Sequence, residues 1–255
     1  MTEPPNGPER EIPERAAGNA NSAASDEFIG GLSSIEEIAA AVRSCTRCGL
    51  AGTRINAVPG EGSDSPSILF IGEGPGANED QQGRPFVGRA GKLLDELLGV
   101  VPLLRSDVYI TNVVKCRPPE NRDPLPEEVR ACWPYLEAQI SLLKPHVIAT
   151  LGRHAMNRFL PNTRISDQHG RATVWRDIVI FPLYHPAAAL RSTTLRQTLE
   201  NDIRRLPAAV LQSLEMSAAR SQAPSATDAP VTPDTAPSAS TKSSVDDEAN
   251  QNRLF

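Results

Sequence analysis

The chain has 255 residues, 22% of them charged, a net charge of −5 and few aromatic residues. That length accommodates one domain with a substantial core, plus tails. No apolar run approaches the roughly 20 residues of a membrane span, and the acidic, Pro-rich start MTEPPNGPEREIPER has neither the basic nor the apolar region of a secretory signal, so a membrane or secreted protein is disfavoured and a cytoplasmic one expected.

Residues 1–32 are rich in Pro, Glu, Asn, Ala and Gly, and residues 214–250 in Ser, Ala, Thr, Pro and Asp. Such segments bury too little apolar surface to offset their ordering entropy. A disordered N-terminal tail, a folded domain over 33–213 and a disordered linker over 214–250 are therefore expected. Net charge is unevenly shared: residues 138–207 carry 10 basic against 4 acidic side chains, nearly all the bases being Arg. That surplus suits a face that meets phosphates, or an ordinary solvated surface.

In chain order, Ile35, Ile38, Ala39 and Val42 recur at helical spacing behind a Ser33 or Ser34 cap, and this helix leads to Cys45. Ser67–Gly72 (SILFIG) reads as a buried parallel strand. A helix is predicted over Arg89–Leu98 and a second strand over Val108–Val114. Pro126–Leu143 is predicted to be a long amphipathic helix that Pro134 kinks or breaks near Cys132. His146–Leu151 and Ile178–Leu183 are the third and fourth strands, with Gly152 opening the helix between them. A last helix runs from about Thr194 to Leu206, where Pro207 ends or kinks it, with a further turn toward Leu211. Strands alternating with helices predict an α/β three-layer sandwich around a four-stranded, mostly parallel sheet. Ligands bind such sheets at the carboxyl ends of the strands, where GEGPGANEDQQGRPFVG, the Asn112–Cys116 segment and YHPAAALR all stand.

Gly72-Glu73-Gly74-Pro75-Gly76 fails the dinucleotide fingerprint, because its third glycine comes one residue early and Pro75 removes a backbone donor. Gly91-Lys92 lacks the rest of a P-loop. What remains is a tight turn carrying Glu73, Glu79 and Asp80 ahead of Phe86, an aromatic flanked by Gly83, Arg84, Pro85 and Gly88. Phe86 is either core or a loop-borne stacking surface. Asn112, mid-strand, needs buried partners or a ligand. His185 is either structural or part of a site.

The chain has four cysteines, Cys45-x-x-Cys48 and the singles Cys116 and Cys132. Four thiolates suit a soft dication or an iron–sulfur cluster. Disulfides suit secreted domains better.

GEGPGANEDQQGRPFVG, ITNVVKCRPPENRDPLP and FPLYHPAAALR, downstream of Cys45-x-x-Cys48, together resemble the family 4, iron–sulfur uracil-DNA glycosylases over about residues 35–211. The resemblance implies a bacterial-type DNA repair enzyme that flips uracil out of DNA and hydrolyses its N-glycosidic bond. It implies a [4Fe–4S] cluster on Cys45, Cys48, Cys116 and Cys132, where a zinc site would present the same cysteines. Glu73 and His185 are the implied catalytic residues: a carboxylate near the sugar, and a donor at the uracil O2 aided by backbone N–H groups of the Gly72–Gly76 turn. Gly74, Glu79, Phe86 and Asn112 are the implied uracil contacts, Phe86 stacking on the base, Asn112 reading its edge and Glu79 lying against it.

Leu190 and Arg191 either enter the space the base vacates or are core and solvated, respectively. Arg84 and Arg89 touch phosphate or sit in water. The sequence departs from the family in Asn78, which interrupts an acidic run, and in three alanines after His185-Pro186. Iron–sulfur relatives that stay covalently joined to DNA carry Gln at the position of Gly74 and a reactive His in a basic loop; this chain has no His in KCRPPENRDPLP. A uracil-DNA or single-strand binding module without turnover is the alternative of a different class, and a monomer associated with the nucleoid is expected. The terminal Gln251-Asn252-Arg253-Leu254-Phe255 resembles a sliding-clamp docking peptide, with Gln251, Leu254 and Phe255 as its contacts, or folds back on the domain.

Overall fold

The apolar runs form the middle of a six-stranded sheet in a computed structural model that describes residues 26–222. The strands are β1 (Glu61–Gly62), β2 (Ile68–Gly72), β3 (Tyr109–Asn112), β4 (Val147–Leu151), β5 (Thr173–Trp175) and β6 (Ile178–Leu183), in the order β1-β3-β2-β4-β6-β5. The four expected strands are the parallel centre, and β1 and β5 add antiparallel edges. Those edges are two and three residues long and half-exposed, too short for an apolar period to mark them.

Ten helices surround the sheet in the described residues: residues 26–30 (α1), Ile35–Arg43 (α2), Ala77–Gln82 (α3), Arg89–Val100 (α4), Pro126–Leu143 (α5), Arg153–Met156 (α6), Ile165–Gln168 (α7), Pro186–Ala189 (α8), Thr193–Ile203 (α9) and Leu206–Gln222 (α10). Strand side chains alternate between two apolar layers, as the pleat requires. Phe70, Ile110, Ala149 and Phe181 join α4, α9 and α10 on one face. Leu69, Ile71, Tyr109, Ile148 and Ile180 join α2 and α5 on the other. Both faces of β2 and β4 are thus covered, which explains their unbroken apolar sequence. Strand order reverses at β2, whose neighbours are β3 and β4, so the crevice for a ligand opens at its carboxyl end.

Three expectations are corrected. The folded part begins before residue 33: residues 26–30 are helical, and Ile29 is 1% exposed within the α2–α5 layer. It also continues past residue 213, because α10 reaches Gln222. Pro207 stops α9 only by opening α10, and the small Ala209 and Ser213 let that helix lie close on the core, so a Ser/Ala-rich composition concealed it. Pro134 does not break α5, which runs through it. The tail and clamp-peptide expectations for residues 1–25 and 223–255, Gln251, Leu254 and Phe255 included, fall outside the described residues.

If Ile29 is part of the core, Ile29→Ala should destabilise the domain by about 2 kcal/mol or more, read as a lowered denaturation midpoint. An unchanged midpoint would return residues 26–32 to the tail.

Candidate active site

The cleft is built by forcing three chain segments closer than side chains normally permit. A Cβ on Gly72 would lie 2.4 Å from Asn112 Oδ1 and 2.6 Å from the Phe86 ring, and one on Gly74 would lie 2.8 Å from a Val114 methyl. Beyond β3, Val113 and Val114 donate to the carbonyls of Gly72 and Glu73, continuing the ladder into the turn. Glycine is needed here so that the β2 turn, the β3 end and the Phe86 loop can share one place.

Phe86 adopts φ +50°, a left-handed conformation unusual for an aromatic residue. Several contacts hold it there. Glu79 Oε1 accepts from Val87 N (2.9 Å) and Gly88 N (2.8 Å), while its Oε2 accepts from Gly76 N (3.1 Å). Arg105 donates to the carbonyls of Pro85 (2.8 Å) and Phe86 (3.2 Å) and pairs with Glu61 and Asp95. Gly91 admits the loop, since a Cβ there would stand 1.7 Å from the Phe86 carbonyl oxygen. The Phe86 ring is 6% exposed, part of the core, and still lines the cleft, 5.8 Å from the stacked His185 ring. Core residue and cleft wall are thus the same side chain.

Asn112 is 1% exposed and its Oδ1 has no partner within the protein. Its backbone is fixed by Lys115, fully buried, whose Nζ donates to Asn112 O (2.8 Å), Thr111 Oγ1 (2.6 Å) and Gln139 Oε1 (2.7 Å). A buried, unpaired acceptor pointing where a ligand can enter is the polar feature that most narrows the chemistry.

His185 is the N-cap of α8, and its Nδ1 accepts from Ala187 N at 3.1 Å. That bond assigns the ring proton to Nε2. Burial lowers the His185 pKa to about 4, with His154 pushing the same way and Glu79 opposing. The ring is therefore a neutral Nε2–H donor near neutral pH. Glu73 is half-buried, and burial raises its pKa, an effect that Asp123 reinforces and that His154 and Arg153 oppose. The Glu73 carboxyl is thus only weakly solvated, a setting that disfavours its charged form.

Glu73, Gly74, Glu79, Phe86, Asn112 and His185 all line this one cleft, as does Arg191. Leu190 does not; it is 37% exposed beside it. Both oxygens of Glu79 are engaged by backbone N–H groups, so within the cleft it also supports the loop. Arg84 is paired with Glu61 at 2.7 Å. Sequence reading missed His154, Asp123 and Tyr184, which also line the cleft. His154 stands just past the carboxyl end of β4, so the strand-end rule applied there would have found it. Asp123 lies in a long loop with no such signal.

In the layer formed with α2 and α5, Cys45, Cys48, Cys116 and Cys132 line one small cavity as free thiols. Burial raises the pKa of Cys48 and Cys116 and pushes Cys132 up to about 12. Such sulfurs ionise readily only next to a strong cationic centre. Donors already face them: Arg54 Nη1 is 3.1 Å from Cys116 Sγ, Lys115 N 3.3 Å from Cys132 Sγ and Arg47 N 3.5 Å from Cys45 Sγ. This donor set fits an anionic metal–thiolate group.

Residues 59–206 match the family model for the uracil DNA glycosylase superfamily. The chain is 47% identical over 185 residues to the type-4 uracil-DNA glycosylase of Sulfurisphaera tokodaii, covering 69% of this chain and 84% of that protein. The type-4 enzyme of Saccharolobus solfataricus is 47% identical over 189 residues (70% and 88%), and that of Thermotoga maritima 46% over 174 (66% and 91%). The chain belongs to the type-4 uracil-DNA glycosylase family. A type-5 uracil-DNA glycosylase of Thermus thermophilus matches a shorter stretch, 40% identical over 118 residues. Family membership thus agrees with the four cysteines, the Gly72–Gly76 turn and the His185-Pro186 segment that carried the resemblance.

Because burial sets the His185 titration, its ring resonances in an NMR titration should keep neutral-form shifts from about pH 8 down to about pH 5. A midpoint near the unperturbed imidazole value of about 6.5 would contradict the buried, Nδ1-accepting geometry.

Proposed function

We propose that this chain excises uracil from DNA by hydrolysing the N-glycosidic bond, leaving an abasic site. The observation that carries this reading is the unpaired Oδ1 of Asn112 at the cleft floor. Uracil presents an N3–H donor beside its O4 acceptor, and a side-chain amide answers both; cytosine presents the reverse pattern. The uracil target is hidden in the base stack, so the nucleotide must be flipped into the cleft, where Phe86 offers the stacking face.

Cleavage leaves negative charge on the base and positive character on the sugar. The Nε2–H of neutral His185 donates to the uracil O2 as that charge develops, together with backbone N–H groups of the Gly72–Gly76 turn, and it is pre-oriented by the Ala187 bond. Glu73, poorly solvated, stabilises the sugar cation and orients the attacking water. Gly74 lets the base lie against the turn. Arg191 meets the DNA backbone, and the exposed Leu190 enters the duplex where the base has left.

Cys45, Cys48, Cys116 and Cys132 would hold a [4Fe–4S] cluster, which ties α2 to the start of α5 and supplies cross-linking for the fold. A single zinc ion would use the same four thiolates. Iron and acid-labile sulfide should be found at about four each per chain and be lost in Cys132→Ser; one zinc and no sulfide would replace the cluster with a single ion.

Oligonucleotides carrying one uracil, thymine or cytosine test the reaction. Substoichiometric protein should give repeated cleavage at uracil only, after alkali, and His185→Ala should slow it by about 10²–10³-fold. Binding without an abasic product would leave a recognition module, and a gel-stable protein–DNA adduct would replace hydrolysis with covalent capture. Deleting residues 251–255 should abolish clamp binding while sparing activity on the short substrate; unchanged clamp binding would remove the docking role of Gln251, Leu254 and Phe255.

A further inference from the structure

Behind the cleft, Lys115 has every one of its polar groups engaged. It is fully buried and lines no part of the cleft. Its backbone N–H faces Cys132 Sγ on α5 at 3.3 Å, and its carbonyl accepts from Val58 N at 2.7 Å. The side chain turns back along β3, where Nζ donates to Thr111 Oγ1 (2.6 Å), Asn112 O (2.8 Å) and Gln139 Oε1 (2.7 Å). An ammonium has three N–H donors, and these three oxygens use all of them. Two of the oxygens are fixed as acceptors by their own bonds. Thr111 Oγ1 donates to Pro59 O (2.8 Å), and Gln139 Nε2 donates to the same Pro59 O (2.8 Å) and to Tyr109 OH (3.3 Å), which turns Gln139 Oε1 to the lysine. Thr111, Gln139 and Tyr109 are themselves buried.

The register of the edge strand explains why a donor is needed at that place. β1 runs antiparallel to β3 with Glu61 opposite Ile110, and Ser63 N donates to Val108 O. In an antiparallel ladder the bonded pairs recur every second residue, so the same register sets Pro59 opposite Asn112. Proline has no N–H and cannot donate to the Asn112 carbonyl. Lys115 Nζ supplies the donor that the ladder lacks there. On the cleft side of the same residue, Asn112 Oδ1 has no protein partner. That oxygen sits in a tight corner, where a Cβ on Gly72 would stand 2.4 Å from it and 2.6 Å from the Phe86 ring. Its direction therefore follows from this packing and from the Asn112 backbone, whose carbonyl is the atom that Lys115 holds.

We infer that Lys115 is a positioning residue for Asn112: it takes the ladder place that Pro59 leaves without a donor, and so fixes the strand end from which Asn112 reads the base. The inference rests on the base-reading role proposed for Asn112 above. It gives a buried lysine with no carboxylate partner a task that an apolar side chain could not perform. It also sets the base reader and α5 in one frame, because Gln139 and Cys132 of that helix face the same residue.

The test is single-turnover uracil excision by the full chain for Lys115→Met, Asn112→Ala and the two together, with iron content and the binding of DNA carrying an abasic site measured beside it. Lys115→Met keeps the length of the side chain and removes its three donors. It should slow excision by about 10-fold, while iron content and the Kd for abasic DNA, which has no base for Asn112 to read, stay as in the wild type. In the Asn112→Ala background Lys115→Met should slow excision no further, because both changes act through one contact. A smaller folded fraction would scale the rate equally in both backgrounds, so the missing second loss separates positioning from destabilisation. If Lys115→Met does not fold, Thr111→Val removes one of the three oxygens at similar volume, and its smaller loss of rate should likewise vanish in the Asn112→Ala background. An unchanged rate in the folded variant, equal losses in the two backgrounds, weakened binding of abasic DNA, or iron lost together with activity overturns the inference. Excision by Asn112→Ala at the wild-type rate would instead overturn the role of Asn112 itself.

Discussion

The cleft depends on one carboxylate. Glu79 gathers the backbone N–H groups of Gly76, Val87 and Gly88, and so ties the turn after β2 to the loop that carries Phe86. Charge-assisted bonds to backbone are among the stronger ones available, and three on one side chain fix two loops at once. Without this tie, nothing obliges Phe86 to keep a left-handed backbone while its ring fills the corner between Gly72 and His185. The parallel sheet brings strand ends together; Glu79 converts that proximity into a shaped wall.

Opposite treatments of charge stand close together at the carboxyl end of β3. At the cleft, Asn112 keeps an acceptor unpaired and Glu73 is left half-desolvated, so both are poised for something that arrives. Three residues further on, Lys115 is buried completely with every contact made by neutral oxygens, and its main-chain N–H turns to Cys132. A buried ammonium with no carboxylate partner is tolerated poorly unless negative charge stands near. The cysteine site provides that charge when its sulfurs are thiolates, so the segment that follows Asn112 also borders the four cysteines.

Much of this was legible because strong apolar runs ending in glycine, asparagine or histidine mark strand ends in a parallel sheet. That rule drew the Gly72–Gly76 turn, Asn112 and the segment after β6 to one end of the sheet, and the family resemblance then singled out Glu73 and His185; the cysteines stood out by their chemistry. Other features were hidden. Phe86 looked exposed because its flanks are glycine and proline, yet those same residues let the loop fold inward. The loop-bracing role of Glu79 was hidden as well, since nothing in a sequence shows a carboxylate bonding backbone eight and nine residues away. Asp123 reaches the cleft through a loop with positive φ at Glu120 and Asn121 and an Arg122–Glu128 ion pair to α5, a path that no periodicity records. The edge strands and α10 were missed because short or small-residue elements gain their stability from contacts and not from propensity.

The orphan oxygen of Asn112 has a consequence for durability. A buried acceptor with no protein partner weakens the folded state by an amount on the order of 1–3 kcal/mol. The domain therefore carries a built-in instability at the place where, in the proposed function, it recognises its base. An apolar side chain of similar volume there, as in Asn112→Leu, should yield a hardier protein that no longer tells uracil from cytosine. Selection for heat tolerance alone would erode this site, and its persistence would measure how strongly the cell needs the chemistry.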